Sequence, residues 1–563
     1  MKAIFRFHGG IHPPTHKAAS TRTPITPAAL PSKLVIPLHQ HVGIRAKAVV
    51  QVGERVLKGQ VIGRPEGRLS STVHASTSGT VSAIDMQLVA HHSGLPDLCV
   101  TLIPDGKDEW IEHGGVDYKQ ISHTEVRHLL RQAGVVGLGG AVFPSDVKAY
   151  SNKHKIKTMM LNGAECEPYI TCDDMLMRER AHDILRGAEV LRELLYAEEV
   201  LVGIEDNKPE AIAAMRQAVI DDKHEHMRVI SVPTVYPSGG AKQLIRILTG
   251  IEVAAGVRSP EMGVQCFNVA TAYSAWRAIR HGEPLLSRIV TVTGNVDDAR
   301  NFEVLLGTPV DELVTQAGRR PDTDRHIMGG PMMGVQLPAA TVGVAKATNC
   351  IIASSPALFP PPQPALPCIR CTRCAEVCPA ELQPQDLYWF AKSNNFGKAQ
   401  EFHLFDCIEC GACAYVCPSH IPLVSYYRYA KSEIWEREQE SQAAELARER
   451  HEYRQYRIER EKQEKAEKLA QKEKAAAAAK AAADAAAEKA RLDTPSDPDA
   501  DPDDTMQLRI EAALARAKEQ AATTQPKNTD TLTPQQQAEI NEIDARRARI
   551  HASAHHDAEP KNE

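Results

Sequence analysis

A cysteine pattern written twice limits what this chain can fold into more than any other feature. Cys368-Ile-Arg-Cys371-Thr-Arg-Cys374-Ala-Glu-Val-Cys378-Pro379 is followed by Cys407-Ile-Glu-Cys410-Gly-Ala-Cys413-Ala-Tyr-Val-Cys417-Pro418, and each cysteine recurs at an offset of 39 residues. Three cysteines separated by two residues can wrap three corners of a cubane from one tight loop. The fourth, with proline behind it, leaves that loop and in two-cluster ferredoxins ligates the other cluster. The pattern therefore assigns Cys368, Cys371, Cys374 and Cys417 to one [4Fe–4S] cluster, and Cys407, Cys410, Cys413 and Cys378 to a second. Structural zinc uses well-separated ligand pairs, often with histidine, and fits this spacing poorly. Soft thiolate ligands in paired clusters imply one-electron transfer. Between the repeats, Leu387-Tyr388-Trp389-Phe390 reads as a helix packing on the clusters.

The other five cysteines (Cys99, Cys166, Cys172, Cys266 and Cys350) are expected to be small buried apolar residues. Clustered thiols point to metal rather than disulfides, and so to a reducing compartment. A formal net charge of −6 counts against a nucleic-acid-binding body. No run of about 18 apolar residues is present, so no membrane span is expected. Met1 to His8 lacks the apolar core of a secretory signal. The expected place is the cytoplasm, with any membrane attachment made through a partner.

Upstream lies a glycine-rich loop, Gly137-Leu138-Gly139-Gly140-Ala141-Val142-Phe143-Pro144, with Lys148 four residues on. Such loops bring backbone N–H groups close to phosphate, and a lysine adds a point charge. Taken alone it is neither a Rossmann fingerprint nor a Walker loop, and a tight structural turn is the plainer reading. The next segment shifts the balance. Met159-Met160-Leu161-Asn162 reads as the end of a buried strand and runs into Gly163-Ala164-Glu165-Cys166-Glu167-Pro168. Ligands of α/β sheets bind at such strand ends.

These segments, together with Gly9-Gly10-Ile11-His12-Pro13-Pro14, Tyr236-Pro237-Ser238-Gly239-Gly240-Ala241-Lys242 and Gly329-Gly330-Pro331-Met332-Met333-Gly334, give the chain its family resemblance. Over about residues 1 to 435 it resembles the RnfC (RsxC) family, soluble subunits of Rnf ion-translocating electron transport complexes. More distantly it is similar to the NADH-binding flavoprotein subunit of respiratory complex I. The resemblance implies FMN cradled by Gly137, Gly139 and Gly140, nicotinamide stacking at Phe143, flavin phosphate contact at Lys148, and flavin-site roles for Asn162, Glu165 and Asn268. Glu167 falls where a carboxylate contacts NADH. Leu138 stands where the relative has arginine, Ala164 where it has aspartate, and Gly240-Ala241 where it has two glutamates.

The reading that follows is an ion-translocating oxidoreductase subunit, a peripheral protein on the cytoplasmic face of a bacterial inner membrane. NADH is its expected substrate, FMN and two [4Fe–4S] clusters its cofactors, and integral membrane subunits its partners. Ferredoxin or a redox-sensing regulator are further candidate partners. The alternative is a pure iron–sulfur relay whose flavin fold is only a docking scaffold. A soluble dehydrogenase or hydrogenase flavin subunit is disfavoured by the doubled repeat.

The expected fold class is multidomain α/β. Residues 1–115 read as a barrel sandwich like that of lipoyl and biotinyl carriers, without an attachment lysine. Residues 116–283 read as a Rossmann-like FMN/NADH domain, from alternating helix and strand patterns. A small β-grasp domain is expected over 284–345, a proline-rich linker over 346–365 and the ferredoxin-type domain over 366–431. Residues 432–563 have helix formers with a thin apolar stripe, a disordered acidic break at Pro495 to Asp504, and a short helix near Leu508 to Lys518. His39 and His41 are expected to be exposed on a strand.

Overall fold

A computed structural model describes residues 4–91, 93–150, 155–492, 511–516 and 518. The chain forms two units, Met1–Ala444 and Glu445–Glu563. The first holds all the sheets. In the second, residues 445–492 are the continuation of a helix that runs over Leu423–Leu492, and residues 445–489 are exposed almost throughout. Residues 511–516 are helical; Pro495 to Asp504 lies outside the described residues. Among the described residues no helix is long and apolar enough to cross a membrane.

The centre of the first unit is a four-stranded parallel sheet. Its strands are Thr158–Gly163, Glu199–Glu205, Met227–Val232 and Val264–Asn268. Thr158–Gly163 lies between Glu199–Glu205 and Val264–Asn268, so the order reverses on either side of it. Successive residues of the central strand feed opposite cores. Met159 and Leu161 join the apolar cluster beneath helices Ala181–Leu195 and Val269–Arg280, whereas Met160 packs with Leu244 and Leu248 of helix Ala241–Thr249. A strand covered on both faces reads as a continuous apolar run, which is how Met159-Met160-Leu161 reads. Each such side chain contributes roughly 1.5–3 kcal/mol on burial.

Two smaller sheets, Leu34–Pro37/Pro96–Pro104/Gly79–Leu88/Arg55–Val56 and Lys47–Ala48/Val61–Arg64/Val73–His74, form the barrel sandwich around a core of Leu34, Ile36, Val56, Ile62, Val100 and Leu102. A six-stranded sheet built on Ser287–Gly294, Arg300–Leu305 and Cys350–Ser354 carries helix Val310–Gln316. Two segments differ from the sequence expectation. Residues 4–33 reach the barrel sandwich only after crossing the rest of the body: Phe5 N–H donates to Ile247 O (3.0 Å), and Thr26 pairs with Phe302. Cys350–Ser354, placed in the linker by composition, is a buried strand pairing with Ser287–Gly294. Free sheet edges accept short segments whose own sequence carries no strand signal.

His39 is exposed, as expected, but His41 is buried, and neither lies in a strand. His41 Nε2 lies 3.0 Å from Ile44 O and 3.2 Å from Ser70 Oγ. Nearby, the fully buried Lys346 ammonium donates to Gly134 O (2.7 Å) and Thr72 O (2.9 Å), joining the barrel sandwich to the Rossmann-like domain. Burial pushes Lys346 down to about 7. Burial, reinforced by that lysine, holds His74 down at about 3, and burial holds His41 at about 4.

Both histidines are depressed, so on acidification the unfolded chain takes up protons first. The stability they contribute is full above pH 6.5 and is lost as pH falls toward 4 and 3. At pH 5 each costs about 2 kcal/mol. Thermal unfolding at pH 7.5 and pH 5 should therefore show a smaller acid-induced drop in His74→Gln than in the parent. An identical drop in both would mean that His74 is charged inside the fold.

Candidate cluster and flavin sites

The cysteine repeat is a structural repeat as well. Arg370 and Glu409 (φ 55° and 57°), Thr372 and Gly411 (65° and 79°), and Glu381 and His420 (55° and 51°) occupy the left-handed region at the same 39-residue offset. The short helices Arg373–Glu376 and Ala412–Tyr415 repeat likewise, as do the starts of the helices Pro384–Lys392 and Leu423–Leu492. The chain gathers its eight clustered cysteines into two cavities. Cys368, Cys371, Cys374 and Cys417 line one, with Tyr388 and Ile421. Cys378, Cys407, Cys410 and Cys413 line the other, with Leu387 and Tyr427. These are the two sets that the spacing groups together.

The donor chemistry fits a cationic iron–sulfur core. Burial, with neighbouring thiols adding to it, pushes Cys410 up to about 12. Burial likewise pushes Cys374 up to about 11 and raises Cys407 and Cys413. Four thiols in one apolar cavity cannot ionise together without a positive centre, and the irons of a cluster supply it. The N–H groups of Leu382 and Glu409 point at Cys378 Sγ and Cys407 Sγ, both at 3.4 Å. Such contacts tune cluster potential.

The candidate flavin site lies at the reversal point of the parallel sheet, outside the carboxyl ends of its strands. Asn162 and Asn268 are register partners at the ends of adjacent strands there. Above them the glycine loop closes on itself, Gly137 N–H donating to Phe143 O (2.8 Å) and Val142 N–H to Gly137 O (3.0 Å). Leu138 N–H is taken by Thr271 Oγ1 (2.8 Å). The next three amides, of Gly139, Gly140 and Ala141, are exposed and have no hydrogen-bond partner among the described residues. Lys148 is partly buried, with Nζ 5.0 Å from the Phe267 ring centroid and no ion-pair partner among the described residues. Burial pushes its pKa down. Free amides and a partly buried, unpaired ammonium are the kinds of group that fit the phosphate end of FMN.

The other residues singled out in the sequence are held by protein groups. Asn162 donates to Gly239 O (2.8 Å) and accepts from Ala164 N–H (3.1 Å). Asn268 caps the Val269–Arg280 helix through Ala270 N–H (2.8 Å) and donates to Asp173 (2.6 Å). Glu165 accepts from the Asp173 and Asp174 amides (2.7 and 3.3 Å), and burial, opposed by Lys17, pushes it up to about 8. Glu167 accepts from Met332 and Met333 N–H (2.7 and 2.9 Å), and a Cβ on Gly330 would collide with its side chain. That close approach accounts for the glycine at 330. Of the departures from the complex I pattern, Leu138 and Ala164 are buried and Ala241 is exposed at a helix start.

Sequence reasoning missed the residues that pin these loops. Lys17, in the proline-rich N-terminal strap, donates to Glu165 O (2.8 Å), Glu167 O (2.9 Å) and Ile170 O. Glu205 and Lys208 form a fully buried ion pair (2.7 Å), and Glu205 also accepts from Ser238 Oγ (2.7 Å), fixing the Tyr236–Gly240 turn. Tyr236 OH donates to Cys410 O (2.5 Å). No local signal marks Lys17. The Tyr236-Pro237-Ser238 motif was visible, but its partner, 174 residues away, was not. Of the five scattered cysteines four are buried as expected. Cys166 is only partly buried, its thiol accepting from Gly239 N–H (3.3 Å) and packing with Tyr236, Met332 and Cys410.

Family models match consecutive parts of the chain: an RnfC barrel sandwich hybrid domain over 5–107, a Nuo51 FMN-binding domain over 130–277, an SLBB domain over 289–336 and a 4Fe-4S dicluster domain over 367–421. The RnfC protein of the ion-translocating oxidoreductase complex of Pectobacterium atrosepticum is 44% identical, with 98% of this chain and 81% of that protein covered. The chain belongs to the RnfC family. The corresponding protein from Edwardsiella ictaluri is 49% identical over 71% of this chain, and the Serratia proteamaculans one 47% over 72%. The matched part spans only 50% and 57% of those two proteins. The domain matches make the fold the expected multidomain α/β assembly, with barrel-sandwich, flavin-type, SLBB and dicluster ferredoxin domains. A crystal structure of an NAD+-reducing [NiFe]-hydrogenase superposes at a TM-score of 0.39 with 17% identity, over 49% of this chain and 54% of that one.

The crossed cavities make a prediction about pairs of substitutions. Anaerobically loaded protein should carry about eight iron atoms. Cys378→Ala combined with Cys407→Ala should lose about half of them, no more than either alone. Cys371→Ala combined with Cys378→Ala should lose nearly all. If Cys378 instead paired with Cys371, the two outcomes would be exchanged.

Proposed function

We propose that this chain is the peripheral electron-input subunit of an Rnf-type ion-translocating complex, on the cytoplasmic face of the inner membrane. It takes electrons from NADH at a flavin site under the Gly137–Phe143 loop and passes them through the two cysteine-lined sites to integral membrane subunits. FMN, when bound, supplies the exchange between a two-electron hydride donor and one-electron carriers. The chain's own part is placement. Gly139, Gly140 and Ala141 offer amides to the phosphate, and Lys148 offers a positive charge. Asn162 and Asn268, at the ends of adjacent strands, would hold the flavin ring, and Phe143 would stack on the nicotinamide. No side-chain acid or base is required, because hydride passes between cofactors. Ferredoxin and a redox-sensing regulator are alternative acceptors.

One observation carries this reading: the strand Thr158–Gly163 runs on, through residues 164–168, into the same apolar cluster as Cys410. Ile11, Tyr236, Cys410 and Ala412 pack there with Cys166 and Met332. The candidate flavin site and the second cysteine site therefore share a wall. The pure-relay reading draws on a different observation, that Asn162, Asn268, Glu165 and Glu167 are all engaged by protein partners.

Isolated protein loaded with iron and sulfide should release FMN on denaturation, and NADH should bleach its flavin band anaerobically. Lys148→Met should weaken FMN binding at least about tenfold, the scale of one lost charge-assisted contact, and leave the iron content unchanged. A brown protein with full iron, no flavin and no response to NADH would select the relay reading.

A further inference from the structure

A cavity of about 430 Å³ opens where four parts of the first unit meet: the barrel sandwich at Trp110, the N-terminal strap at Ala28, the helix Val269–Arg280, and the six-stranded sheet at Arg288 and Leu305. That is the size of a pocket for a small organic molecule. The helix lends it Ala270, Tyr273, Ser274 and Arg277, which share one face by their spacing of three and four residues. Leu138, Leu176, Leu285 and Leu286 line it as buried side chains. The flavin cradle lies elsewhere, since Gly139, Gly140, Lys148 and Asn162 do not line this cavity.

Arg288, only 4% exposed, lines this cavity. Its Nε donates to Thr348 O (3.2 Å) and its Nη1 to Leu138 O (3.1 Å), which leaves most of its N–H donors open. Among the described residues its Nη2 has no hydrogen-bond partner, and no carboxylate stands at ion-pair distance. Burial pushes its pKa down, opposed by Cys172 and Asp173. The other cations of the lining are matched: Lys58 pairs with Asp108 (2.6 Å), and Arg277 Nε donates to Glu283 (2.6 Å). Of the remaining carboxylates, Asp173 accepts from Asn268 Nδ2 (2.6 Å) and Glu303 from Ser287 Oγ (3.0 Å). A buried guanidinium with open donors is costly until an acceptor completes it. Its planar fork matches a carboxylate with two parallel bonds. Asp173 and Glu303 in the same lining would repel a doubly charged phosphate, so a singly charged head fits better. The buried leucines suit an apolar body behind that head.

We infer that this cavity is a binding site for an organic carboxylate with an apolar body, whose carboxylate oxygens accept hydrogen bonds from the Arg288 guanidinium. The site uses neither the flavin cradle nor the cysteine cavities, so it stands whether or not FMN, NADH or clusters bind as proposed above. Binding is non-covalent. Through Arg288, which also holds Leu138 O, the carboxylate lies one side chain away from the glycine loop.

The test titrates the full-length protein, loaded anaerobically with iron and sulfide, with a matched pair of probes in a calorimeter: 2-naphthoate and the neutral 2-naphthalenemethanol. The naphthoate should bind once per chain, and the alcohol at least about tenfold more weakly, the scale of one charge-assisted contact. Arg288→Met should remove that preference for the anion. Ser274→Phe, which fills the cavity and breaks only a bond within its own helix (Ser274 Oγ to Ala270 O, 2.9 Å), should abolish naphthoate binding with Arg288 in place. Thermal unfolding of each variant checks that it folds, and the comparison of the two probes on the parent needs no variant at all. No heat of binding from the naphthoate would overturn the proposal, and so would equal affinity for the alcohol. Naphthoate binding unchanged in Ser274→Phe would place the probe elsewhere and overturn it too. If added FMN displaced the naphthoate competitively, the cavity would belong to the flavin, and the assignment of a separate carboxylate site would fall.

Discussion

The exchange of the fourth cysteine between two loops is the constraint on which the rest of the molecule turns. Cys378 follows the first wrap but lines the second cavity, and Cys417 does the reverse. Neither half can therefore close its own site. The two loops, 39 residues apart in sequence, must meet, and the helix Pro384–Lys392 between them must fold back so that Leu387 faces one cavity and Tyr388 the other. Buried thiols with raised pKa values are poor tenants of an apolar cavity until a metal neutralises them. Metal loading and folding of this region are expected to be one process.

That pairing then fixes how the cluster region meets the rest of the first unit. Only the second loop has the glycine that allows the Met332 backbone to approach, and only it presents Cys410 O to Tyr236. The surface it meets is assembled from three distant stretches: the N-terminal strap at Gly10 and Ile11, the Tyr236 turn, and the Gly329–Gly334 turn held by Glu167. The carboxylates expected at a flavin ring work here as braces for those stretches. Glu165 and Lys17 brace the strand end from below, and Glu205 with Lys208 brace the Tyr236 turn through Ser238. The proposed flavin cradle is left with what the braces do not use, which is bare amides and one unpaired lysine.

Much of this was legible in the sequence because it depends on local periodicity. The cysteine spacing is local, the apolar run Met159 to Leu161 is local, and glycines at turns are local; the Pro209–Asp221 and Ala241–Thr249 helices follow from the same kind of pattern. What escaped were residues whose role is set by a partner far along the chain. His41 alternates with His39 in an apolar stretch and reads as exposed, yet it turns inward to Ser70. Cys350–Ser354 reads as part of a linker, because its strand pairing depends on the free side of Ser287–Gly294. Lys346 looks like any surface lysine, and it is enclosed because three segments, at Gln40, Ser71–Thr72 and Gly134, converge on it.

By itself the sequence determined the two sets of four cysteines, the flavin-type parallel sheet and the family, since each is written in spacing or periodicity that any fold of this chain must honour. Only the tertiary structure decided which cysteine loop faces inward and which outward. The two loops are near-copies in sequence and share their backbone angles, so nothing local separates them. The distinction arises where Gly411 admits a carbonyl oxygen that the side chain of Thr372 would exclude from its own loop, and so one arginine-bearing loop is left in water.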